Sequence, residues 1–311
     1  MNWCDKGKHC IDLTIMKRMI MRFITLIFLC SISATAMAED IDQRLDAASD
    51  GVVSISNISG SVDVSGWSRK EVEITGMLGD DVEELIFERN GNEIEITVRA
   101  PKRNSHDVSS NLVIKVPEQS SVEAVTVSAD VDIQNVHGAQ ELQTVSGDVD
   151  SEAFSADVEI MTVSGDIELQ GDDQKARTEL ESVSGDVEAQ NLAGEISTNT
   201  VNGDITLVNS SFSRVRLETV NGDIIFESAL TKGGNFSLET INGDVDIEFN
   251  ESISARFDIE TFNGDISNCF GPEPVRTSKY TPGTELKFTE GDGDGRVGIQ
   301  TLNGDLRLCK E

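Results

Sequence analysis

The chain has 311 residues, with 56 aspartates and glutamates against 25 lysines and arginines and a formal net charge of −31. A charge of that sign opposes binding to nucleic acid or to an anionic lipid surface and favours cations or basic partners. The length beyond any leader suits one elongated domain or two compact ones.

Residues 1–38 predict a targeting segment. Lys17, Arg18 and Arg22 form a basic region, Phe23 to Ile32 an apolar core, and Ala36-Met37-Ala38 a small-x-small cleavage site. The apolar run is too short to span a bilayer as a stable helix. Residues 1–15, with Cys4 and Cys10, do not suit a signal peptide, which places the expected translation start at Met16, Met19 or Met21. Leu29 is too large for Cys30 to be a lipoprotein acylation site. The leader carries a net +3, so the mature chain from Glu39 carries −34. No second long apolar run follows, so no transmembrane helix is expected after cleavage, and the sequence beyond the repeats is too short for an outer-membrane barrel. The mature chain keeps Cys269 and Cys309, and an exported chain meets an oxidising compartment, so the two are expected to pair.

Residues 39–120 read as an N-terminal β cap with a first, weak coil. Strands are predicted at Glu71 to Met77, Glu84 to Glu88, Glu93 to Arg99 and Asn111 to Val116, with Asn90-Gly91 as a hairpin turn. From residue 121 to 311 one motif recurs. Its glycines are Gly147, Gly165, Gly185, Gly203, Gly222, Gly243, Gly264 and Gly304, spaced by 18, 20, 18, 19, 21, 21 and 40 residues. Each is followed by an aspartate: Asp148, Asp166, Asp186, Asp204, Asp223, Asp244, Asp265 and Asp305. The residues two before and two after each glycine are apolar, as in Val183 and Val187, and both are expected in a stacked core. Three before stands Thr or Ser, and directly before stands Ser or Asn. Weaker copies centre on Ala129 and Gly60, as expected for the terminal copies of a solenoid.

Val, Ile and Thr, broken by Asn-Gly or Ser-Gly about every twenty residues, exclude helix. Two all-β arrangements compete. Each glycine is either the turn of an antiparallel hairpin meander or a corner in one coil of a parallel β-solenoid, in which equal offsets stack about 4.8 Å apart. Only stacked coils explain the same residue at the same offset eight times. The solenoid predicts Val163 beside Val145 and Val183, and Ile167 beside Val149 and Val187. Residues 270–298, with Pro272, Pro274, Pro282 and the run Gly291 to Gly295, read as a loop inserted into the last period. Cys269 and Cys309 each lie five residues after a repeat glycine, so they stack within disulfide range if that loop is extruded from a single coil.

The segment Gly51 to Trp67, the strand Leu112 to Pro117, the Val-Ser-Gly-Asp and Val-Asn-Gly-Asp copies and the closing Thr301 to Cys309 resemble a family of exported bacterial proteins known as candidate adhesins. The resemblance implies a right-handed parallel β-helix similar to adhesin head domains, and no reaction. Function inferred from fold is analogy.

The expected function is a non-catalytic binding or structural module of the cell envelope, in the periplasm or at the surface, with a glycan or an envelope protein as partner and no cofactor. The competing reading is a polysaccharide lyase or hydrolase, since β-helices also carry such enzymes. Those need carboxylates at fixed separation in a cleft, or a metal with a basic group. Here the carboxylates follow the repeat, and His106 and His137 stand in no ligand-spacing motif. The aspartate column is expected to accept backbone N–H bonds beside its own turn, as Asx turns do. Asp292 and Asp294 are the calcium candidates, close together on an adaptable backbone. The Ser/Thr column either faces the interior or joins the Asn column on a flat polar surface.

Overall fold

The computed structural model describes residues 39–101, 108–280 and 282–310. The targeting segment, with Cys4, Cys10 and Cys30, and His106 lie outside the described residues. Among the described residues every regular element is a β-strand.

Each repeat contributes one strand segment before its glycine and one after it, and each segment pairs in parallel with its equivalents in neighbouring copies. Before the glycine, Val158–Met161 lies between Gln140–Gln143 and Lys175–Glu181. After it, Ile167–Gly171 lies between Val149–Ala153 and Val187–Gln190, with Ile167 beside Val149 and Val187. Val163 likewise stands between Val145 and Val183, because the Ser164 and Ser184 N–H groups donate to the Val145 and Val163 carbonyls, each at 3.0 Å. Segments flanking one glycine pair with other copies rather than with each other, so the antiparallel meander is excluded in the repeats.

Alternation along both segments directs one set of side chains into a single core. Leu142, Ile160 and Leu180 enter it from the segments before the glycines, and Ile167, Leu169 and Val187 from those after. Toward the C-terminal end the core becomes aromatic. The Phe226 ring meets Phe236 at 4.9 Å and Phe249 at 5.8 Å in edge-on contacts. Each such side chain contributes about 1.5–3 kcal/mol by burial alone.

One expectation fails at the corner. Val183 and its equivalents are not in the core: Val145, Val163, Val183 and Ile241 are 43–46% exposed, while Thr144, Thr162, Ser182 and Thr240 are buried. Strict alternation explains this. With Leu142 facing in, Thr144 faces in and Val145 faces out, and the chain turns only after Val145. Replacing Val183 by serine is therefore expected to change stability by no more than about 0.5 kcal/mol, read from denaturant unfolding. A loss of core size, above about 2 kcal/mol, would restore the buried placement.

The N-terminal part holds the four predicted strands, as Glu71–Leu78, Glu84–Asn90, Glu93–Arg99 and Ser109–Pro117. The second and third form the expected antiparallel hairpin, Asn90 opposite Glu93. A strand absent from the sequence reading, Glu39–Asp46, pairs antiparallel with Glu71–Leu78. The long strand Val52–Trp67 joins this part to the stack through parallel pairing with Ser121–Gln134.

The C-terminal end departs most from expectation. Residues 270–298 are not a plain loop, since they include Val275–Arg276, Thr284–Glu290 and the start of Gly295–Asn303. Thr284–Glu290 pairs antiparallel with Ala255–Asn263. The chain then returns inward. Gly295–Asn303 pairs in parallel with Ile224–Asn242 on one side and with Ala255–Asn263 on the other. Leu306–Lys310 likewise lies between Val245–Phe249 and Ile266–Asn268. The copy last in sequence, that of Gly304, is thus next to last in space. Cys269 and Cys309 are joined across this layer with their Cα atoms 4.8 Å apart.

Candidate functional site

The repeat corner combines three ladders on one turn. The buried threonine hydroxyl meets the polar backbone inside the bend: the Gly165 N–H donates to Thr162 Oγ1 at 3.0 Å, and Thr261 Oγ1 donates to the Gly304 carbonyl at 3.1 Å. The Ser/Thr column therefore faces inward; at Thr162 and Thr261 the hydroxyl pairs a corner backbone group that a valine would leave unpaired, whereas Thr240 and Thr301 are buried with their hydroxyls unpartnered. Next to it the asparagines run outside. Asn221, Asn242, Asn303 and Asn263 form a side-chain amide ladder with steps of 2.8 Å, reached from Asn202 by one of 2.9 Å.

The aspartates form the third ladder. The Asp148 N–H donates to Asp130 Oδ1 at 3.1 Å and the Asp166 N–H to Asp148 Oδ1 at 2.9 Å. The pattern continues through Asp186, Asp204, Asp223, Asp244, Asp305 and Asp265 at 2.7–2.9 Å. The acceptor is therefore satisfied by the next copy and not, as expected, within its own turn. The glycine is set by the same stacking. A Cβ on Gly165, Gly185 or Gly222 would lie 1.9 Å from the carbonyl oxygen of the preceding repeat glycine.

Between the threonine and asparagine columns the outward apolar residues form a row: Ile58, Val127, Val145, Val163, Val183, Val201, Val220, Ile241, Leu302 and Phe262. Ile58 and Val220 are half-buried, and the other eight are 39–49% exposed. The next outward position toward the N-terminus is acidic or amide in most copies, as in Glu181, Asn199, Glu218, Glu239 and Gln300, but is Val125 or Met161 in two copies nearer the N-terminal end. Near Val220, Ile241 and Leu302 the surface sinks into a shallow depression of about 490 Å³, which Glu218 and Glu239 also line. This is the apolar column expected in the stacked core, and it lies outside. Only the count of positions from the preceding inward leucine marks it as external.

The model of one protein family, Toastrack DUF4097, matches residues 31–198 and 85–308. The chain belongs to the Toastrack DUF4097 family. Solved structures that resemble this Toastrack chain include a candidate adhesin of Bacteroides fragilis, at 12% identity, 88% of this chain and 98% of that one, with a TM-score of 0.45. A candidate lipid binding protein of Parabacteroides distasonis gives 11%, 88%, 97% and 0.44. A candidate cell adhesion protein of Clostridium sporogenes gives 10%, 88%, 100% and 0.25. No curated protein matches the chain in sequence.

The remaining sequence candidates occupy other places in the Toastrack stack. His137 packs against the Phe154 ring at 4.0 Å and reaches Asn135 Oδ1 at 3.2 Å. On the outer face after the glycines, Asp63, Asp132, Asp150, Glu168 and Glu188 are consecutive neighbours. Burial, then the Glu168, Asp132 and Glu152 charges, pushes the Asp150 carboxyl up from its ordinary value; burial and then Asp132 does the same to Asp63.

Asp292 and Asp294 stand in a turn, but Asp294 pairs with Lys232 at 3.2 Å and the Asp292 N–H donates to Ser254 Oγ. Among the described residues no group of three or more acidic, histidine or cysteine side chains is placed to hold a metal ion. Millimolar calcium is therefore expected to leave the melting temperature unchanged. A site of roughly micromolar affinity would add about 4 kcal/mol at a thousandfold excess, and a rise of that size reversed by chelator would overturn the expectation.

Proposed function

We propose that this chain is an exported, right-handed β-helical module of the bacterial cell envelope that binds a partner at the repeat corner and catalyses no reaction. The observation that carries the reading is the row from Ile58 to Phe262. Apolar side chains scattered singly over a surface need no explanation, but a contiguous exposed patch marks an interaction site. Most other outward positions of the same strands are polar, as at Glu141, Glu159 and Glu179, and the apolar exceptions Val125 and Ile225 do not continue from copy to copy as the row does. The basic leader with its cleavage pattern and the Cys269–Cys309 bond both suit export to an oxidising compartment.

Two measurements test the reading. The chain recovered from the periplasmic, surface or secreted fraction should begin at Glu39, and recovery only from the cytoplasm with an intact leader would refute export. Incubation of the mature chain with acidic and neutral polysaccharides should leave their chain lengths unchanged. Depolymerisation at catalytic rates would instead support the carbohydrate-active enzyme.

A further inference from the structure

The composition of the corner narrows the partner, an inference that rests on the corner being the binding surface. The apolar row spans nine steps of about 4.8 Å, roughly 43 Å in all. The aspartate column runs beside it beyond the asparagines. None of its nine carboxylates, Asp130 to Asp265, forms an ion pair with a basic side chain among the described residues; the aspartates that do, Asp246, Asp258 and Asp294, lie elsewhere. On the opposite flank Glu239 is also without a basic partner, while Glu218 pairs with Arg216. Like charges at about 4.8 Å repel along the whole column, and a cationic partner would relieve that repulsion. A second copy of this chain would add to it, and an anionic membrane surface would be repelled.

Geometry selects the partner's conformation. Same-face side chains of an extended strand recur about every 6.6 Å, out of step with the rungs. A helix laid along the row presents a new turn about every 5.4 Å, close to one turn per coil, and its apolar stripe is about 100° wide. We infer that the corner face docks a basic amphipathic helix, with its apolar side on the row from Ile58 to Phe262 and its lysines or arginines over the aspartate column and Glu239. Up to roughly 28 residues of helix fit along the row.

The test titrates the mature chain with three synthetic peptides: a helix of leucine and lysine with one apolar face, the same composition scrambled so that no apolar face forms, and the first peptide with glutamate for lysine. Only the first is expected to bind, with affinity falling at least tenfold between 0.05 and 0.5 M salt, as the Debye length shortens from about 14 Å to about 4 Å. Ile241→Ser with Leu302→Ser should weaken it at least tenfold without lowering the melting temperature. Asp204→Asn with Asp223→Asn keeps the side-chain oxygen that accepts the next N–H, and should weaken binding and flatten its salt dependence.

Equal binding of the scrambled or glutamate peptide, no binding of the first, or unchanged affinity in either double variant would overturn the inference. A neutral β-linked oligosaccharide serves as a fourth probe. If it binds, and Ile241→Ser with Leu302→Ser abolishes that binding while the lysine peptide is ignored, the helix is refuted and the corner-binding module stands. If no probe responds to the row variants, both fail.

Discussion

Replacing Gly203 by alanine is expected to cost more than about 3 kcal/mol, and the variant is expected to unfold at markedly lower denaturant or to accumulate as insoluble chain. The added Cβ would lie 2.1 Å from the carbonyl oxygen of Gly185 and 2.7 Å from its carbon. Both atoms are backbone in the adjoining coil, so no side chain can rotate to make room. Relief requires the two coils to part, and the bonds that hold them together are close by. The Asn202 N–H donates to the Val183 carbonyl at 3.0 Å and the Asp204 N–H to Asp186 Oδ1 at 2.8 Å. Gly298 supplies the control, since its added Cβ would find only the Phe236 carbonyl oxygen at 3.9 Å, an ordinary contact. Gly298→Ala should be neutral or stabilising by up to about 1 kcal/mol. Equal losses in the two variants, measured by denaturant unfolding, would show that the corner does not demand close approach.

Removing the disulfide as Cys269→Ala with Cys309→Ala should cost about 4 kcal/mol in the chain-entropy model, for a sequence separation of 40 residues. The physical cause lies mainly in the unfolded state, where the bond holds together the segment that must fold back between two coils. The loss should concentrate at the C-terminal end. In the double variant, amide exchange should accelerate first in Ala255–Asn263, Gly295–Asn303 and Leu306–Lys310, before the coils near Gly165. The intact mature chain, unfolded without reductant, should show no reactive thiol. Two thiols per chain, or a double variant as stable as the parent, would sink this prediction.

How much of the molecule could be read from the chain differs from one feature to the next. The period and the stacking of equal offsets were legible because parallel pairing gives every copy the same surroundings. Ile167 had to stand beside Val149 and Val187 for the same reason that an aspartate follows every repeat glycine. The strand Glu39–Asp46 was not legible, since its only apolar side chains are Ile41 and Leu45 and it is recruited by the free edge of Glu71–Leu78.

Sequence alone therefore determined an all-β repeat with glycine and aspartate at each corner and two cysteines at equivalent positions. Which of two adjacent β-branched residues, Thr162 or Val163, faces inward was decided by tertiary structure, because both suit a strand and only the inward packing of Ile160 two residues earlier sets the phase, which brings the Thr162 hydroxyl to the Gly165 N–H. That choice turned an expected core column into the exposed row on which the functional reading rests. The order of the last copies was decided the same way. The motifs around Gly264 and Gly304 are equally able to stack on Gly243, so local chemistry cannot rank them. Thr284–Glu290 pairs antiparallel against Ala255–Asn263, and the chain that follows it fills the layer between that strand and Ile224–Asn242, where both of its edges find hydrogen-bond partners.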